Sequence, residues 1–226
     1  SVDNSAYDFT IDYSSSNVAF QDKSLVLTLS PPKSGKIGEG VRVSHTRPVL
    51  YGRISASITA PAASFGGVVT TFITMSDVKD EIDWEIVGQS ATTAQSNIFY
   101  RGIEEVGIHG GTHALGGATS ATHVYTIDWK PDVLTWSVDG KVVRTERRSE
   151  SQRDSELTRA KFPDGPVQWY PNTPSIIQFS VWDGGDQPSA GTATWAGGPV
   201  NFGIGAIKAK YDYLEVQCYD DQGNAV

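Results

Sequence analysis

The whole chain holds one cysteine, Cys218. A single thiol can build neither an intramolecular disulfide framework nor a cysteine-based zinc site from this chain alone, so Cys218 is either a buried apolar residue or has a partner outside this sequence. Basic residues are also short: 18 Lys and Arg stand against 26 Asp and Glu, a formal net charge of −8. That balance repels phosphate backbones and anionic lipid. The one basic cluster, Arg147 and Arg148, is flanked by Glu146 and Glu150, so nucleic acid is not expected as a partner. No stretch approaches the roughly 18 consecutive apolar residues of a membrane span, and no membrane contact by this domain is expected. The chain starts at Ser1 with neither Met nor an apolar leader, which reads as a processed or trimmed form. Histidines are four, His45, His109, His113 and His123, and the close pair His109/His113 lies in a Gly-rich stretch without a third ligand nearby. No metal and no cofactor are expected. An Asn-x-Ser/Thr acceptor, a G-x-S-x-G elbow and a Gly-rich phosphate loop are missing too.

What is present suits one large all-β domain spanning residues 1–226. The 226 residues are 38% hydrophobic, enough for a substantial core. Runs rich in β-branched and aromatic residues recur between Gly, Pro, Ser and Asp punctuation: 24–29, 50–58, 67–73, 81–87, 124–129, 134–138, 175–181 and 206–216. This is the pattern of an antiparallel sandwich. Asp139-Gly140, between two such runs, predicts a two-residue hairpin turn. The one helix expected covers 149–161, with Ser151 as its cap. Ser14–Ser16 and Gly107–Gly117 read as loops, and the polar tail 220–226 as frayed. With no repeat and no Pro-rich linker there is no sign of a second domain, and a monomer is expected.

In Asp80-Glu81-Ile82-Asp83-Trp84-Glu85-Ile86-Val87 acidic and apolar residues alternate. A strand therefore puts Glu81, Asp83 and Glu85 on one face and Ile82, Trp84 and Ile86 on the core side. Their outer Cα atoms lie about 13 Å apart, and long side chains leaning inward bring the carboxyls closer. Retaining glycosidases separate such a pair by about 5–5.5 Å and inverting ones by about 6.5–9.5 Å. Three carboxylates this close cannot all ionise at ordinary pH, so one proton is retained, which is what an acid–base pair needs. Two other readings compete. A merely solvated acidic face is disfavoured because strands are depleted in Asp and Glu and aligned like charges destabilise a sheet. A calcium site lacks a surrounding loop of spaced acidic residues.

Glu81-Ile82-Asp83-Trp84-Glu85 resembles the E-x-D-x-E signature of glycoside hydrolase family 16. That resemblance implies a curved β-jelly roll of the concanavalin A-like kind. One residue between Asp83 and Glu85 is similar to the lichenase, xyloglucan transglycosylase and fungal Crh branches, whereas laminarinase-like members carry an extra bulged residue. Ser76-Asp77-Val78-Lys79, Gln95-Ser96-Asn97-Ile98-Phe99-Tyr100, Tyr170-Pro171-Asn172-Thr173-Pro174, Trp182-Asp183-Gly184-Gly185 and the 191–198 stretch resemble the Crh-type cell-wall transglycosylases. The likeness runs from about Leu50 to Phe202. It implies Glu81 as nucleophile, Glu85 as general acid and then base, and Asp83 as the group that tunes them by sharing a proton or hydrogen bond with Glu81. It also implies a secreted cell-wall enzyme that moves chitin chains onto β-glucan or chitin. The cysteine-paired amino-terminal segment and the chitin-binding module of some members are not found, which leaves anchoring and exact substrate open.

Sugar rings present apolar C–H faces, so a polysaccharide cleft is lined with flat aromatics beside a few polar groups. Trp182 and Trp195 stand beside Gly pairs and match aromatic positions lining sugar subsites in Crh-like relatives. On the strand after the catalytic one, Asn97 and one of the rings Phe99 and Tyr100 share the carboxylate face, and Tyr100 is the expected ring. Gln178 alternates with Ile177 and Phe179 and is expected to hydrogen-bond sugar hydroxyls, as its neighbour Ser180 is able to. Trp84, Trp129 and Trp136 read as core, Trp169 is assigned no place, and His123, near a family cleft position, reads as a satisfied buried histidine. Two other functions remain: an endo-β-1,3- or mixed-linkage glucanase using water as acceptor, and a lectin-like sandwich that binds glycan without turnover.

Overall fold

Alternating apolar residues leave each strand with one face to bury, and two sheets packed face to face satisfy them all. The computed structural model describes residues 6–63 and 65–226. Its strands are β1 (Phe9–Tyr13), β2 (Val18–Gln21), β3 (Ser24–Leu29), β4 (Val41–His45), β5 (Gly52–Thr59), β6 (Val68–Ser76), β7 (Glu81–Val87) and β8 (Thr93–Phe99). They continue with β9 (Gly111–Ala114), β10 (Thr122–Trp129), β11 (Val133–Val138), β12 (Lys141–Arg147), β13 (Gln152–Arg153), β14 (Val167–Gln168), β15 (Ser175–Asp183) and β16 (Ile207–Cys218). One sheet runs β1-β4-β15-β6-β7-β8-β9 and the other β12-β11-β10-β5-β16-β3-β2, with β13 and β14 a separate small pair. The strand pairings are antiparallel, giving the expected all-β jelly roll.

The core lies between the sheets, where Ile82, Trp84, Phe72, Ile177 and Phe179 meet Ile54, Ile58, Tyr125, Ile127, Trp129 and Trp136. Buried indoles must place their N–H. Trp84 of β7 donates to the Thr126 carbonyl of β10 at 3.2 Å, and Trp136 of β11 donates back to the Asp83 carbonyl at 3.0 Å. These reciprocal bonds clamp β7 onto the opposite sheet. Tyr211 of β16 adds a third tie, its hydroxyl donating to the Thr71 carbonyl at 2.9 Å. Trp129 is buried as expected, and Trp169, unplaced from sequence, joins the core and donates to the Ile98 carbonyl at 3.2 Å.

Asp139 and Gly140 have φ of 49° and 78°, the left-handed pair that a type I′ hairpin requires. Asp139 then accepts from His123 at 2.7 Å and from the Val124 amide at 2.8 Å, so His123 is buried and satisfied.

Four local expectations are corrected. The helix expected at 149–161 is only α1 (Glu156–Lys161), because β13 pairs with β14 and holds 152–153 extended. Its cap is Ser155, in a capping box with Thr158, while the Ser151 hydroxyl donates to the Arg148 carbonyl instead. A second helix, α2 (Ala190–Ala196), was not anticipated; Ser189 caps its start and Gly197, at φ 101°, ends it. The Gly107–Gly117 stretch contains β9, which pairs with β8. Finally, the 220–226 tail folds back, with Asp220 accepting from the amides of Gln222 and Asn224 at 2.9 and 2.8 Å and Val226 returning to Cys218, which is exposed.

Candidate active site

Strand β7 lies inside its sheet between β6 and β8, and its register with β6 is unbroken from Met75↔Glu81 to Val69↔Val87. No bulge interrupts the period of two, so Glu81, Asp83 and Glu85 leave the strand on the open face. Cross-strand neighbours form three rows. Glu81 lies between Phe99 and Met75, Asp83 between Asn97 and Ile73, and Glu85 between Gln95 and Thr71. Pairing of β15 and β4 extends the middle row to Gln178 and Ser44, and the third to Ser180 and Arg42.

The rows differ in how water reaches them. Asp83 is 2% exposed, whereas Glu81 and Glu85 are half-buried. Burial first, and then the charges of Glu81 and Glu85, hold the Asp83 carboxyl well above the usual carboxylate range, so it keeps its proton. Glu81 is also raised by burial, but a hydrogen bond with Asp83 and the charges of Lys79 and Arg42 pull it back. Two carboxyls share a hydrogen bond only with a proton between them, and the fully buried member is the one that holds it. Burial and the Glu81 charge push Glu85 up to about 7. The strand thus sets its three carboxyls in unequal environments: Asp83 keeps its proton, Glu85 is pushed up to about 7, and the rise that burial gives Glu81 is opposed by its hydrogen bond with Asp83.

The Glu85 end is walled by aromatics. Trp182 follows on the next row, opposite Val69, and packs with Trp195 against Val69, Val87 and Ala196. The two indoles lie 6.2 Å apart at 31°, and Trp195 donates to Gln95 Oε1 at 2.8 Å. Glycine makes this wall possible: a Cβ on Gly185 would stand 1.8 Å from the Gly198 carbonyl oxygen, so only bare backbone lets the segment after α2 close over the end of β15.

The glycosyl hydrolases family 16 model matches residues 5–197, which include the three carboxylates and both tryptophans of the wall. The chain belongs to glycosyl hydrolases family 16. Among curated relatives it is 37% identical over 213 residues to Crh-like protein 2 of Aspergillus fumigatus, covering 91% of this chain and 44% of that protein. It therefore spans less than half the length of that relative. Among solved structures it resembles a Crh5 transglycosylase in complex with NAG, with a TM-score of 0.78 and 25% identity over 96% of this chain and 85% of that one. A Bacillus licheniformis β-glucanase shares the fold at a TM-score of 0.72 and 22% identity, over 92% of this chain and 91% of that one.

Within this family 16 domain the residues singled out from sequence fall unequally. The three carboxylates, Asn97, Gln178, Trp182 and Trp195 share the open face or its wall. Tyr100 does not: the register puts Phe99 opposite Glu81, and the Tyr100 ring packs near Phe162 and Trp169, 5.9 and 6.1 Å away. Asn97 Oδ1 accepts from the Ile98 amide at 2.9 Å, which orients its amide beside Asp83. Gln178 is only 8% exposed and donates to Ser44 at 3.0 Å, while its Oε1 and Asp83 Oδ1 are buried acceptors without a partner. Both lie on the middle row, where a hydroxyl donor would satisfy them.

Sequence reasoning missed Gln95, Phe99 and a cluster at the β1 edge. Gln95 was legible as the i−2 neighbour of Asn97. The edge cluster depends on a bulge between Ile11 and Tyr13 that turns both Asp12 and Tyr13 toward β4. There Asp12 accepts from Arg42 at 2.5 Å and from Ser44 at 2.8 Å, and the Arg42 guanidinium lies 5.6 Å from the centre of the Tyr13 ring. No sequence signal announces such a bulge. Among the described residues no group of three or more His, Cys, Asp or Glu is arranged to hold a metal.

Proposed function

We propose that this domain is a retaining glycosidase acting chiefly as a transglycosylase of the fungal cell wall, with chitin as donor and β-glucan or chitin as acceptor. The observation that carries the reading is the row of three carboxylates on the open face of β7, with buried Asp83 between Glu81 and a Glu85 pushed up to about 7. Glu81 attacks the anomeric carbon as the bond to the leaving oxygen breaks, and Glu85 gives that oxygen its proton. The product is a glycosyl ester on Glu81. Glu85, now a carboxylate, takes the proton of an incoming sugar hydroxyl, whose oxygen attacks the anomeric carbon and frees Glu81. As the Glu81 charge disappears in the ester and returns, Asp83 withdraws and restores its hydrogen bond. Trp182 and Trp195 supply apolar plates for sugar rings, and Asn97 and Gln178 polar contacts to hydroxyls.

Likeness to Crh-type proteins supports transfer over hydrolysis and a secreted, wall-associated location. The runner-up is an endoglucanase that uses water in the second step, favoured by the shared fold of the Bacillus β-glucanase. A lectin-like role would gain nothing from three carboxylates whose burial raises each of them. The test is mass spectrometry of products from chito-oligosaccharides with and without labelled laminari-oligosaccharide. Hybrid or lengthened products that vanish in Glu81→Gln establish transfer; shortened laminarin or lichenan products alone move the assignment to the glucanase; no turnover on any of them leaves the lectin.

A further inference from the structure

Arg144 belongs to β12, the edge strand of its sheet, where a long cationic side chain ordinarily turns out to water. Here it turns inward. Its side chain is 12% exposed, and its guanidinium lies 4.5 Å from the centre of the ring of Trp136, its register partner on β11. A cation taken out of water is costly unless its donors are paired, and the fork pairs them. Nε and Nη2 donate to Glu146 Oε1 at 3.1 and 2.7 Å, Nη2 also donates to the His109 carbonyl at 2.9 Å, and Nη1 donates to the Ser96 carbonyl and hydroxyl at 3.2 and 3.0 Å. Glu146 lies on the same strand; the other bonds cross to β8 and to the loop that follows it.

These contacts converge on one short piece of backbone. Trp136, under the guanidinium, donates to the Asp83 carbonyl at 3.0 Å, and Ser96 is the cross-strand partner of Trp84. Arg144, Trp136, the Asp83–Trp84 backbone and Ser96 thus close a circuit on the inner side of β7, with the carboxylates on the outer side. Strand β9 completes it. Burial first, and then the Arg144 charge, holds His113 below its ordinary pKa, so the neutral ring accepts from the Ser96 hydroxyl at 2.8 Å while that oxygen accepts from Arg144. The guanidinium charge also opposes the burial that raises Asp83.

We propose that Arg144 is a positioning residue for the carboxylate row, fixing the Asp83–Trp84 backbone from inside the sandwich through Trp136 and Ser96. Its part in turnover rests on the glycosidase reading above; the anchoring itself does not. A nucleophile and an acid that act on one anomeric centre tolerate little displacement, and about 1 Å can cost on the order of 100-fold in rate. Holding the backbone at the midpoint of the row keeps Glu81 and Glu85 in step on either side of it.

Hydrogen exchange and kinetics on the full chain test this together. Arg144→Met keeps length and apolar packing but removes charge and fork, Arg144→Lys keeps the charge without the fork, and Trp136→Phe removes only the donor to Asp83. Expected in Arg144→Met is amide exchange at least about tenfold faster at 82–85 and 95–98, with β5 and β16 unchanged. Its kcat, on whichever glycan the unaltered chain turns over, should fall on the order of tenfold with KM within about twofold. Arg144→Lys should recover part of both, and Trp136→Phe should quicken exchange at 82–85 alone. Unchanged exchange, or exchange that quickens equally in every strand, overturns the anchoring; unaltered kcat, or a rise in KM alone, overturns the positioning role. Where Arg144→Met fails to fold, Arg144→Lys and Trp136→Phe carry the same comparison. No turnover of any glycan by the unaltered chain, with the exchange pattern as expected, overturns the transglycosylase reading and leaves the anchoring standing.

Discussion

The two faces of strand β7 obey opposite rules. Inward, Ile82 and Trp84 are completely buried among apolar partners, and every contact there lowers the free energy of folding. Outward, one residue along, Glu81, Asp83 and Glu85 crowd carboxyls into a place where burial raises all three and the Glu81 charge raises the other two further. The strand tolerates the second face because it has the first. Side chains alternate, so a seven-residue segment can anchor a sheet and hold an unfavourable charge cluster without either compromising the other.

Removing the outward face should destroy chemistry and spare the fold. Glu81→Gln is expected to lower turnover on the order of 10⁴-fold or more, measured with an activated aryl glycoside or chito-oligosaccharide, with no loss of melting temperature. Substituting the inward face should do the reverse: Trp84→Ala is expected to cost about 3–5 kcal/mol by denaturant unfolding, through the cavity and the lost bond to Thr126. A variant at Trp84 that kept full stability would refute the division between faces.

The alkaline limb sharpens it further. Glu85 has its folded pKa raised to about 7, above the value in an unfolded chain. The folded state then binds more protons than the unfolded one between those values, so the stability this group lends at low pH is lost as pH rises through about 7. Turnover should fall over the same range, as the acid loses its proton. Glu85→Gln is therefore expected to raise stability above pH 7 by on the order of 3 kcal/mol relative to its effect at low pH, read as melting temperature against pH. A flat difference would show that Glu85 does not titrate there.

The smallest expected effect lies at the boundary between the faces. Gln95→Ala removes the bond that steadies Trp195 beside Glu85, and should raise KM by about 2–10-fold with kcat little changed. A fall in kcat alone would instead mean that Gln95 touches the reacting atoms.

Much of this was legible because the informative patterns are local. The alternation of 81–87 names the strand, its two faces and the carboxylates together, and Asp139-Gly140 names its turn by the left-handed φ both residues accept. Where legibility failed, a distant partner decided. The choice between Phe99 and Tyr100 needed the register of β8 on β7, since alternation says only that the two rings oppose each other. The helix expected at 149–161 was shortened by strand pairing of Gln152 with Gln168. The burial of Gln178, with an unpartnered oxygen facing the middle row, follows from its flanking strands β4 and β6.

What the sequence determined by itself, then, is the all-β class and the placing of Glu81, Asp83 and Glu85 on one face of a strand, because each rests on alternation within a segment. Tertiary structure alone decided which carboxyl keeps its proton, which ring shares the carboxylate face, and how Asp12 meets Arg42 at its edge. Those depend on burial and on charges brought together from strands far apart in the chain, and no local pattern of residue types records them.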